Sequence, residues 1–257
     1  MTAEAAGYAS PPDQLARMAQ LRRGVRKGRK IRRVLECELG PAPWPDIRGL
    51  DLGCGPGTIT AYLAKCAGSF VGLDIDAEAV AAARRRFRYP NLEFIHHASA
   101  ALPFEDGAFE LVVVNHVYEH VREPAALFAE VRRLLKPGGS AYLAAAGKYQ
   151  LLEPHYRLPF LSWLPRRPAD LYLKLAGRTE GYDVKLMSYR RLFELLAAFD
   201  AAEYTARVVA SPQEFGAGDV VPGARFVRRL LAAAVRRFPA VAPTRIFILR
   251  PREDYDE

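Results

Sequence analysis

A glycine-rich segment that follows an apolar run has the composition of a ligand-binding turn. Residues 50–57 read LDLGCGPG, with glycine at every second position from Gly53 and the acidic Asp51 just before it. Glycine lets a backbone approach a ligand closely because no Cβ stands in the way. A dinucleotide-binding loop has the spacing G-x-G-x-x-G, whereas this segment is G-x-G-x-G. The segment therefore predicts a nucleotide-type ligand and argues against a nicotinamide or flavin enzyme.

A second acidic residue stands where the next strand is expected to end. Asp74 closes the run 70–74 and lies 23 residues after Asp51. This is close to the separation of about 20 residues at which a related nucleotide fold places the acid that binds ribose hydroxyls. Asp74 is also a candidate N-cap for the helix that begins at Ala77, but Asp76 is better placed for that role. The spacing favours a ribose-binding role for Asp74.

Two histidines and a glutamate follow the expected fourth strand. His116, Glu119 and His120 have the spacing H-x-x-E-H, in which the two histidines share one face of a helical turn. Three interpretations stay open: a divalent metal site, a general base at His116, and a packing role for all three residues. We predict no bound metal, with these three residues as the only candidates for one, and keep His116 as a candidate catalytic residue.

A polar cluster and an apolar run follow the expected fifth strand. His155 and Tyr156 lie in the run EPHYR and are candidates to act as a base or to orient a hydroxyl; the alternative is a hydrogen-bonded loop anchor. Residues 158–165 are apolar, aromatic and bounded by proline, and two arginines follow them. That stretch predicts a lid over a hydrophobic substrate, a contact with a membrane interface, or a subdomain with its own small core.

Strand and helix patterns alternate through the middle of the chain. This alternation predicts an α/β fold with a parallel sheet and right-handed crossovers. We divide the chain into a basic helical segment at 1–45 and a main domain at 46–257, in which 147–187 is a lid or substrate-binding insertion. Strands are predicted at 47–52, 70–74, 92–96, 109–115, 140–145, 204–210 and 245–249, and helices at 13–39, 58–66, 77–88, 124–135, 188–199 and 224–238.

Four segments in the right order resemble the class I methyltransferases of the type 11 group. They are residues 50–57, 71–76, 102–112 and 134–139, and the resemblance extends over about 47–146. It implies a Rossmann-like sheet of seven strands, mostly parallel with the last strand antiparallel, and helices on both faces. It also implies S-adenosylmethionine as the cofactor.

The resemblance assigns roles to individual residues. The loop from Asp51 would line the methionine part, Asp74 would hold the ribose, and Ile75 would pack on the adenine. Ser99 stands where the family usually has an acid that binds the adenine amino group, so the backbone of Ala100 is the substitute. The predicted cofactor set is Asp51, Gly53, Cys54, Gly55, Gly57, Asp74, Ile75, Ser99, Ala100 and Asn115, with Asn115 or His116 beside the sulfonium.

Composition limits the setting in which the chain works. The 257 residues carry a net charge of +8, and their three cysteines fit neither a zinc module nor a disulfide scaffold. We see no secretory signal and no apolar stretch of about 20 residues, the length needed to cross a bilayer. The predicted location is the cytoplasm, with peripheral contact to a membrane as an extension of that prediction. The basic clusters are solvated helix faces or surfaces for anionic partners.

The predicted function is methyl transfer from S-adenosylmethionine to a small-molecule acceptor. The acceptor atom is expected to be a hydroxyl of a lipid, quinone, sugar or natural-product scaffold, and the acceptor to be amphiphilic or anionic. The basic composition suggests a nucleic-acid methyltransferase instead, but no motif for exocyclic amines or cytosine C5 is present. The other alternative is a cofactor-binding protein without catalytic activity. The resemblance says nothing about the acceptor, which must be read from residues 147–185.

Overall fold

The structure is a computed structural model that describes residues 11–99, 101–149, 152–153, 156, 158–178, 186–219, 221 and 223–255. Its strands are β1 (Trp44–Leu52), β2 (Ala67–Asp74), β3 (Leu92–His96), β4 (Phe109–Asn115), β5 (Leu135–Ala146), β6 (Leu152–Glu153), β7 (Leu158–Pro159), β8 (Phe199–Glu203) and β9 (Thr244–Pro251). Its α-helices are α1 (Pro11–Leu39), α2 (Thr58–Ala64), α3 (Ala77–Arg86), α4 (Pro124–Leu134), α5 (Arg166–Leu175), α6 (Tyr189–Leu195), α7 (Thr205–Ala210) and α8 (Arg225–Arg237).

Seven strands form one sheet in the order β3-β2-β1-β4-β5-β9-β8. The first five strands run parallel, and β9 is antiparallel to both of its neighbours. This confirms the predicted seven-stranded sheet with a reversed last strand. The strand order changes direction between β1 and β4, and ligands of open α/β sheets bind beyond the carboxyl ends of the strands at such a point. The glycine-rich turn after β1 lies there.

The sheet separates two apolar cores, and β4 contributes to both. Val112 and Val114 face the core that α4 and α6 cover, whereas Leu111 and Val113 face the core that α1, α2 and α7 cover. Successive strand residues point to opposite faces, so an unbroken apolar run is what a strand covered on both sides requires. The run Leu-Val-Val-Val therefore places β4 at the centre of the molecule.

The carboxyl-terminal half of α1 is part of the second core. Ile31, Val34 and Leu35 are fully buried and pack with Trp44 at the start of β1 and with α2. A basic helix thus turns one apolar stripe inward and leaves its arginines and lysines on the surface. The domain boundary at residues 45 and 46 stays a prediction.

Two sequence predictions in the carboxyl-terminal half are wrong. Residues 204–210 were predicted as a strand but form α7, and the strand in this region is β8, which starts at the predicted end of the preceding helix. Thr205 and Val208 are buried three residues apart, on the same side of the helix. Tertiary burial therefore outweighs the β propensity of two adjacent valines. The other misprediction is the start of β5, which begins at Leu135 and includes 136–139, with an irregular register against β4.

The segment after β5 has a small core of its own. Leu161, Ala169 and Leu173 are completely buried there, and Tyr156 and Leu186 pack against them. Large apolar side chains of the same segment remain exposed to solvent, namely Phe160, Trp163, Leu171 and Leu175. The small core agrees with the subdomain interpretation, and the role as a lid stays a prediction. No helix in the described ranges is both long and apolar enough to span a membrane.

Candidate functional site

The glycine-rich turn is fastened to the end of the neighbouring strand. The backbone N–H groups of Gly53 and Cys54 donate to the carbonyl oxygen of Leu73, at 2.8 and 3.1 Å. The N–H of Gly55 donates to Oδ2 of Asp74 at 2.6 Å. The structure therefore brings together the two motifs that the sequence predicts to act on one ligand.

The turn leaves space for a ligand at one position, Gly55. Gly55 has a φ of 51°, and a Cβ built on it would have no atom within 4 Å. Gly53 has a φ of 68°, and its Cβ would lie 2.6 Å from Cγ2 of Val117, which follows β4. The turn is thus closely packed against the end of β4 on one side and open at Gly55.

The close packing around Gly57 leads to a prediction about stability. Its φ is 73°, and a Cβ there would lie 2.5 Å from the ring of Phe94 and 2.8 Å from Cβ of Ala83. We expect Gly57→Ala to lower the free energy of unfolding by about 3 kcal/mol, the sum of a left-handed backbone and an overpacked contact. Gly40→Ala is the matched control, since Gly40 has a φ of 78° with open space around it, and should lose only about 1 kcal/mol. Equal losses in urea unfolding would show that the packing against Phe94 is unimportant.

Asp74 and Asp76 have separate tasks. Asp76 caps α3, since its Oδ1 accepts from the N–H groups of Glu78 and Ala79 at 2.9 and 3.1 Å. Asp74 contributes nothing to that cap; its Oδ1 accepts from the N–H of Asp76 at 2.9 Å, and the side chain remains partly exposed. Ile75, between them, is 69% exposed. The end of β2 thus presents a carboxylate beside an uncovered apolar side chain.

Asp51 lies beneath the turn and not on its surface. It is 2% exposed, and its Oδ2 accepts from Oγ1 of Thr60 at 2.6 Å. The pKa of Asp51 is raised to about 7, mainly by burial; the hydrogen bond from Thr60 opposes the rise and the charge of Asp74 adds to it. Burial also raises the pKa of the Cys54 thiol, so Cys54 is a packing residue and not a reactive thiol. A cation beside Asp51 would favour its ionised form.

His116 borders the site from the end of β4. Its φ is 58°, in the left-handed region that few residues other than glycine occupy. Its Nδ1 lies 3.2 Å from Oε1 of Glu119, and its side chain is about one-third exposed. Strained backbone at the carboxyl end of a central strand is typical of positions that a functional requirement holds in place.

Glu119 is a buried carboxylate that holds His116. Its Oε1 also accepts from the backbone N–H of Ala146 at 2.6 Å, at the end of β5, and its buried Oε2 has no hydrogen-bond partner among the described residues. Burial raises the pKa of Glu119, but the hydrogen bond and charge of His116 and the N–H of Ala146 together outweigh it and lower the pKa below its ordinary value. An ionised Glu119 orients the imidazole through Nδ1, and the other ring nitrogen is then the basic one.

The remaining predicted site residues are dispersed. Ser99 is exposed after β3, and Asn115 is partly buried in register with Ala144 of β5. Tyr156 packs on the small core after β5, and its backbone N–H donates to Glu153. His120 is exposed, and within the described ranges no group of three or more His, Cys, Asp or Glu side chains is placed to hold a metal ion. Two further predicted residues, Ala100 and His155, lie outside the described residues.

The sequence analysis missed several residues at the site, and three of them have no recognisable sequence signal. Thr60, Val117 and Ala146 act through contacts with Asp51, Gly53 and Glu119. His96 lies beside the site as well, because its Nε2 is 3.1 Å from the carbonyl oxygen of Ile75. His96 could have been found from the sequence by its position at the end of β3, since the carboxyl ends of parallel strands share one edge of the sheet.

These residues fit S-adenosylmethionine. The ligand has two ribose hydroxyls, an apolar adenine face and a cationic methionine part. Asp74 offers carboxylate oxygens to hydroxyls, Ile75 offers an apolar surface to a base, and Gly55 leaves room for the chain between them. The buried carboxylate of Asp51 is the anionic group nearest the turn in sequence and favours a cation there.

Residues 50–143 match the Methyltransf_11 family model, whose description is "Methyltransferase domain". The match contains the turn, Asp74 and His116. These residues form a class I methyltransferase domain. The match confirms the resemblance to the type 11 methyltransferases. It also confirms S-adenosylmethionine as the cofactor of this methyltransferase domain.

Curated relatives of the methyltransferase domain act on different molecules. The demethylmenaquinone methyltransferase of Chlorobaculum tepidum is 35% identical over 141 residues, 54% of this chain and 55% of the relative. The phthiotriol/phenolphthiotriol dimycocerosates methyltransferase 1 of Mycobacterium ulcerans is 35% identical over 168 residues, 63% of this chain and 54% of the relative. The chain spans between 29% and 55% of the length of the first curated relatives it matches.

Solved structures share the fold of the methyltransferase domain. Geranyl diphosphate C-methyltransferase from Streptomyces coelicolor A3(2), in complex with Mg²⁺, geranyl diphosphate and S-adenosyl-L-homocysteine, superposes with a TM-score of 0.55. The two chains are 19% identical, and the match covers 85% of this chain and 77% of the other. This similarity supports the architecture around the site, including the elements outside 50–143.

Proposed function

We propose that this chain transfers the methyl group of S-adenosylmethionine to a hydroxyl of a small-molecule acceptor. The observation that carries the proposal is the pair formed by His116 and Glu119, on either side of Val117, whose side chain packs against Gly53 of the glycine-rich loop. Transfer to a hydroxyl benefits from a base that removes its proton, and a histidine oriented by a carboxylate is suited to that task. A domain that only bound the cofactor would have no use for a strained histidine at this position.

The chain's own residues divide the work of binding and proton transfer. S-adenosylmethionine, when bound, supplies an electrophilic methyl group. Asp74 binds the ribose hydroxyls, and Asp51 lies beneath the turn where it attracts a cationic amino group. Asn115 and His116 border the place where the acceptor oxygen must lie. Methyl transfer depends mainly on in-line placement of the reacting groups, which these residues provide by holding the cofactor in one position.

His116 takes the proton from the acceptor hydroxyl. Glu119 accepts from Nδ1–H of His116, so the lone pair of Nε2 is available. Nε2 would accept the hydroxyl proton as the oxygen takes the methyl group, the bond between that carbon and the cofactor sulfur breaks, and S-adenosylhomocysteine leaves. The proton then passes to solvent, because the imidazole is partly exposed. The hydrogen bond from the N–H of Ala146 to Oε1 of Glu119 keeps the carboxylate close to the imidazolium that forms.

The segment after β5 supports one class of acceptor. Phe160 and Trp163 are exposed there in edge-to-face contact, 5.4 Å between ring centroids, and offer an apolar surface to a substrate. The relatives include a methyltransferase named for a quinone and one named for a mycobacterial dimycocerosate. We therefore infer an amphiphilic acceptor of the quinone or lipid class in preference to a sugar. Three free cysteines accord with a reducing cytoplasm as the location.

Replacement of His116 tests this proposal. His116→Asn should lower kcat by about a hundredfold, the usual contribution of a general base. Asparagine is chosen because it tolerates a positive φ, so the turn keeps its shape. The affinity for S-adenosylhomocysteine, measured by calorimetry, should stay within about twofold because His116 acts on the acceptor. The assay follows radiolabelled methyl transfer to a panel of quinols, hydroxylated lipids and tRNA.

His120→Asn is the matched control and should retain the full rate, since His120 is exposed beyond the site. Glu119→Gln should lower kcat and leave KM for the acceptor little changed, because it acts through His116. An unchanged kcat in His116→Asn would eliminate the base. Methylation of tRNA alone would identify a nucleic-acid methyltransferase, and cofactor binding without transfer to any acceptor would identify a protein without catalytic activity.

A further inference from the structure

Helix α8 exposes an unusual number of large apolar side chains. Of its thirteen residues only Ala232 is fully buried, whereas Phe226 is 70% and Leu230 55% exposed. Val227, Leu231 and the following Phe238 are exposed as well. A helix on the surface of a soluble domain normally turns its large apolar side chains inward. In α8 this arrangement is reversed.

The exposed apolar residues form one continuous face. The four inside the helix, at positions 226, 227, 230 and 231, recur at helical spacing and cover one side of it, and Phe238 follows as the C-cap residue. The side that contacts the rest of the protein is different, since it contains Ala232 and the partly buried Arg228, whose Nη1 donates to Gln213 at 2.8 Å. The apolar face is therefore not the face by which α8 is attached to the protein.

Five arginines lie on α8, four of them exposed and Arg228 partly buried, and the helix has no acidic residue. They are Arg225, Arg228, Arg229, Arg236 and Arg237. No ion pair in the part of the chain that the structure describes joins one of them to a carboxylate. The helix thus combines an insertable apolar face with a basic face of uncompensated charge, the pattern of helices that lie in the interface of anionic membranes.

The position of α8 connects this surface to the methyltransferase site. The chain leaves α8 through the turn Pro239–Val241 and enters β9 at Thr244, opposite Ala146 at the carboxyl end of β5. The N–H of Gly147 donates to Pro243 at 3.0 Å and fixes that junction. The end of α8 therefore lies at the same edge of the sheet as the glycine-rich turn and Glu119.

We propose that α8 binds the surface of an anionic lipid bilayer, with its apolar face inserted among the lipids and its arginines on the headgroups. A second copy of this chain is a poor partner for α8, because two such helices would bring ten arginines together. A nucleic acid would satisfy the arginines but leave the five apolar side chains in water. A bilayer satisfies both faces at once. This inference does not depend on the acceptor or on catalysis.

Flotation of the full chain with lipid vesicles tests the proposal. The protein should float with phosphatidylcholine vesicles that contain phosphatidylglycerol, and stay in solution with phosphatidylcholine alone. The pair Phe226→Ser and Leu230→Ser should weaken binding roughly a hundredfold, since two large apolar side chains no longer insert. The pair Arg225→Gln and Arg229→Gln should weaken it about thirtyfold, because each arginine near an anionic surface contributes about fivefold.

Two matched pairs serve as controls, and the affinity for S-adenosylhomocysteine shows that every variant is folded. Arg85→Gln and Arg86→Gln on α3 remove the same charge and should change binding no more than about threefold. Leu171→Ser and Leu175→Ser on α5 remove the same kind of exposed side chain, and binding should persist. No flotation, equal losses in the α3 or α5 pair, or full binding by the α8 serine pair would overturn the proposal. So would a wild-type dimer that the α8 serine pair dissociates.

Discussion

At pH 8 the Asp51→Asn variant is expected to be more stable than the natural protein by about 4 kcal/mol. Burial raises the pKa of Asp51 from its ordinary 3.8 to about 7, so folding at pH 8 requires an ionised carboxylate in an apolar environment. Each unit of pKa shift corresponds to about 1.4 kcal/mol. The asparagine keeps an acceptor for Oγ1 of Thr60 and removes the charge.

The sign of the pH dependence follows from the direction of this shift. Between pH 4 and 7 the folded protein retains the proton of Asp51, whereas the unfolded chain has lost it, so the natural protein loses stability as pH rises. Above about pH 7 both states are ionised and the loss is complete. The difference between Asp51→Asn and the natural protein should therefore be near zero at pH 4 and reach its maximum above pH 7.

Thermal unfolding from pH 4 to 9 measures this difference. A gain of about 4 kcal/mol corresponds to roughly 10 °C in Tm for a domain of this size. Asp46→Asn is the matched control, since Asp46 is exposed near the start of β1, and its Tm should differ little from that of the natural protein at every pH. A difference between Asp51→Asn and the natural protein that does not vary with pH would show that Asp51 is not the titrating group.

The same variant reports on the cofactor. If Asp51 attracts the cationic amino group of S-adenosylmethionine, Asp51→Asn should bind the cofactor more weakly although it is the more stable protein. Stability and affinity then change in opposite directions, as expected where a binding site holds a destabilising charge. An affinity equal to that of the natural protein would remove Asp51 from the cofactor site and leave its pH effect on stability intact.

Asp74→Ala is expected to weaken the binding of S-adenosylmethionine on the order of a thousandfold. Two hydrogen bonds from ribose hydroxyls to a carboxylate contribute about 2 kcal/mol each, and the alanine removes both. It also removes the acceptor for the N–H groups of Gly55 and Asp76, which loosens the glycine-rich turn. Isothermal calorimetry with S-adenosylhomocysteine gives the affinity directly.

Two further variants separate binding from folding. Asp74→Asn keeps one acceptor for the turn and should still lose most of the affinity, because it lacks the charge. Asp76→Ala removes the N-cap of α3 and should lower stability by about 1 kcal/mol while the affinity persists. If Asp76→Ala lost the cofactor and Asp74→Ala kept it, the ribose assignment would move to Asp76.

Much of the site was predictable because its motifs are local. The turn of residues 53–57 and Asp74 each lie where a strand ends and a helix soon begins. Short-range geometry dictates the residue types at such positions. The strand β4 was predictable with its bounds, since a short unbroken apolar run rich in valine is typical of a strand that is buried on both faces. These features predict the fold class, and the family resemblance that they carry implies the methyl donor.

The sequence left three roles open for His116 and Glu119: metal binding, catalysis and packing. Glu119 gains its role from the N–H of Ala146, which lies on another strand, and this contact places the carboxylate where it orients His116. The helix at 205–210 was mispredicted for the same reason, since burial of Thr205 and Val208 decided its conformation. Contacts between residues far apart in the chain carry no local pattern.

The sequence by itself determined, through the family resemblance that its motifs carry, that the cofactor is S-adenosylmethionine; the role of the segment 50–57 in binding it stays a prediction. Only the tertiary structure decided that Asp51 is buried with a raised pKa, and that Gly55 faces open space. It also decided that the apolar face of α8 points to solvent. A periodic pattern shows that a helix has an apolar face, but the packing of the whole chain decides whether that face is covered.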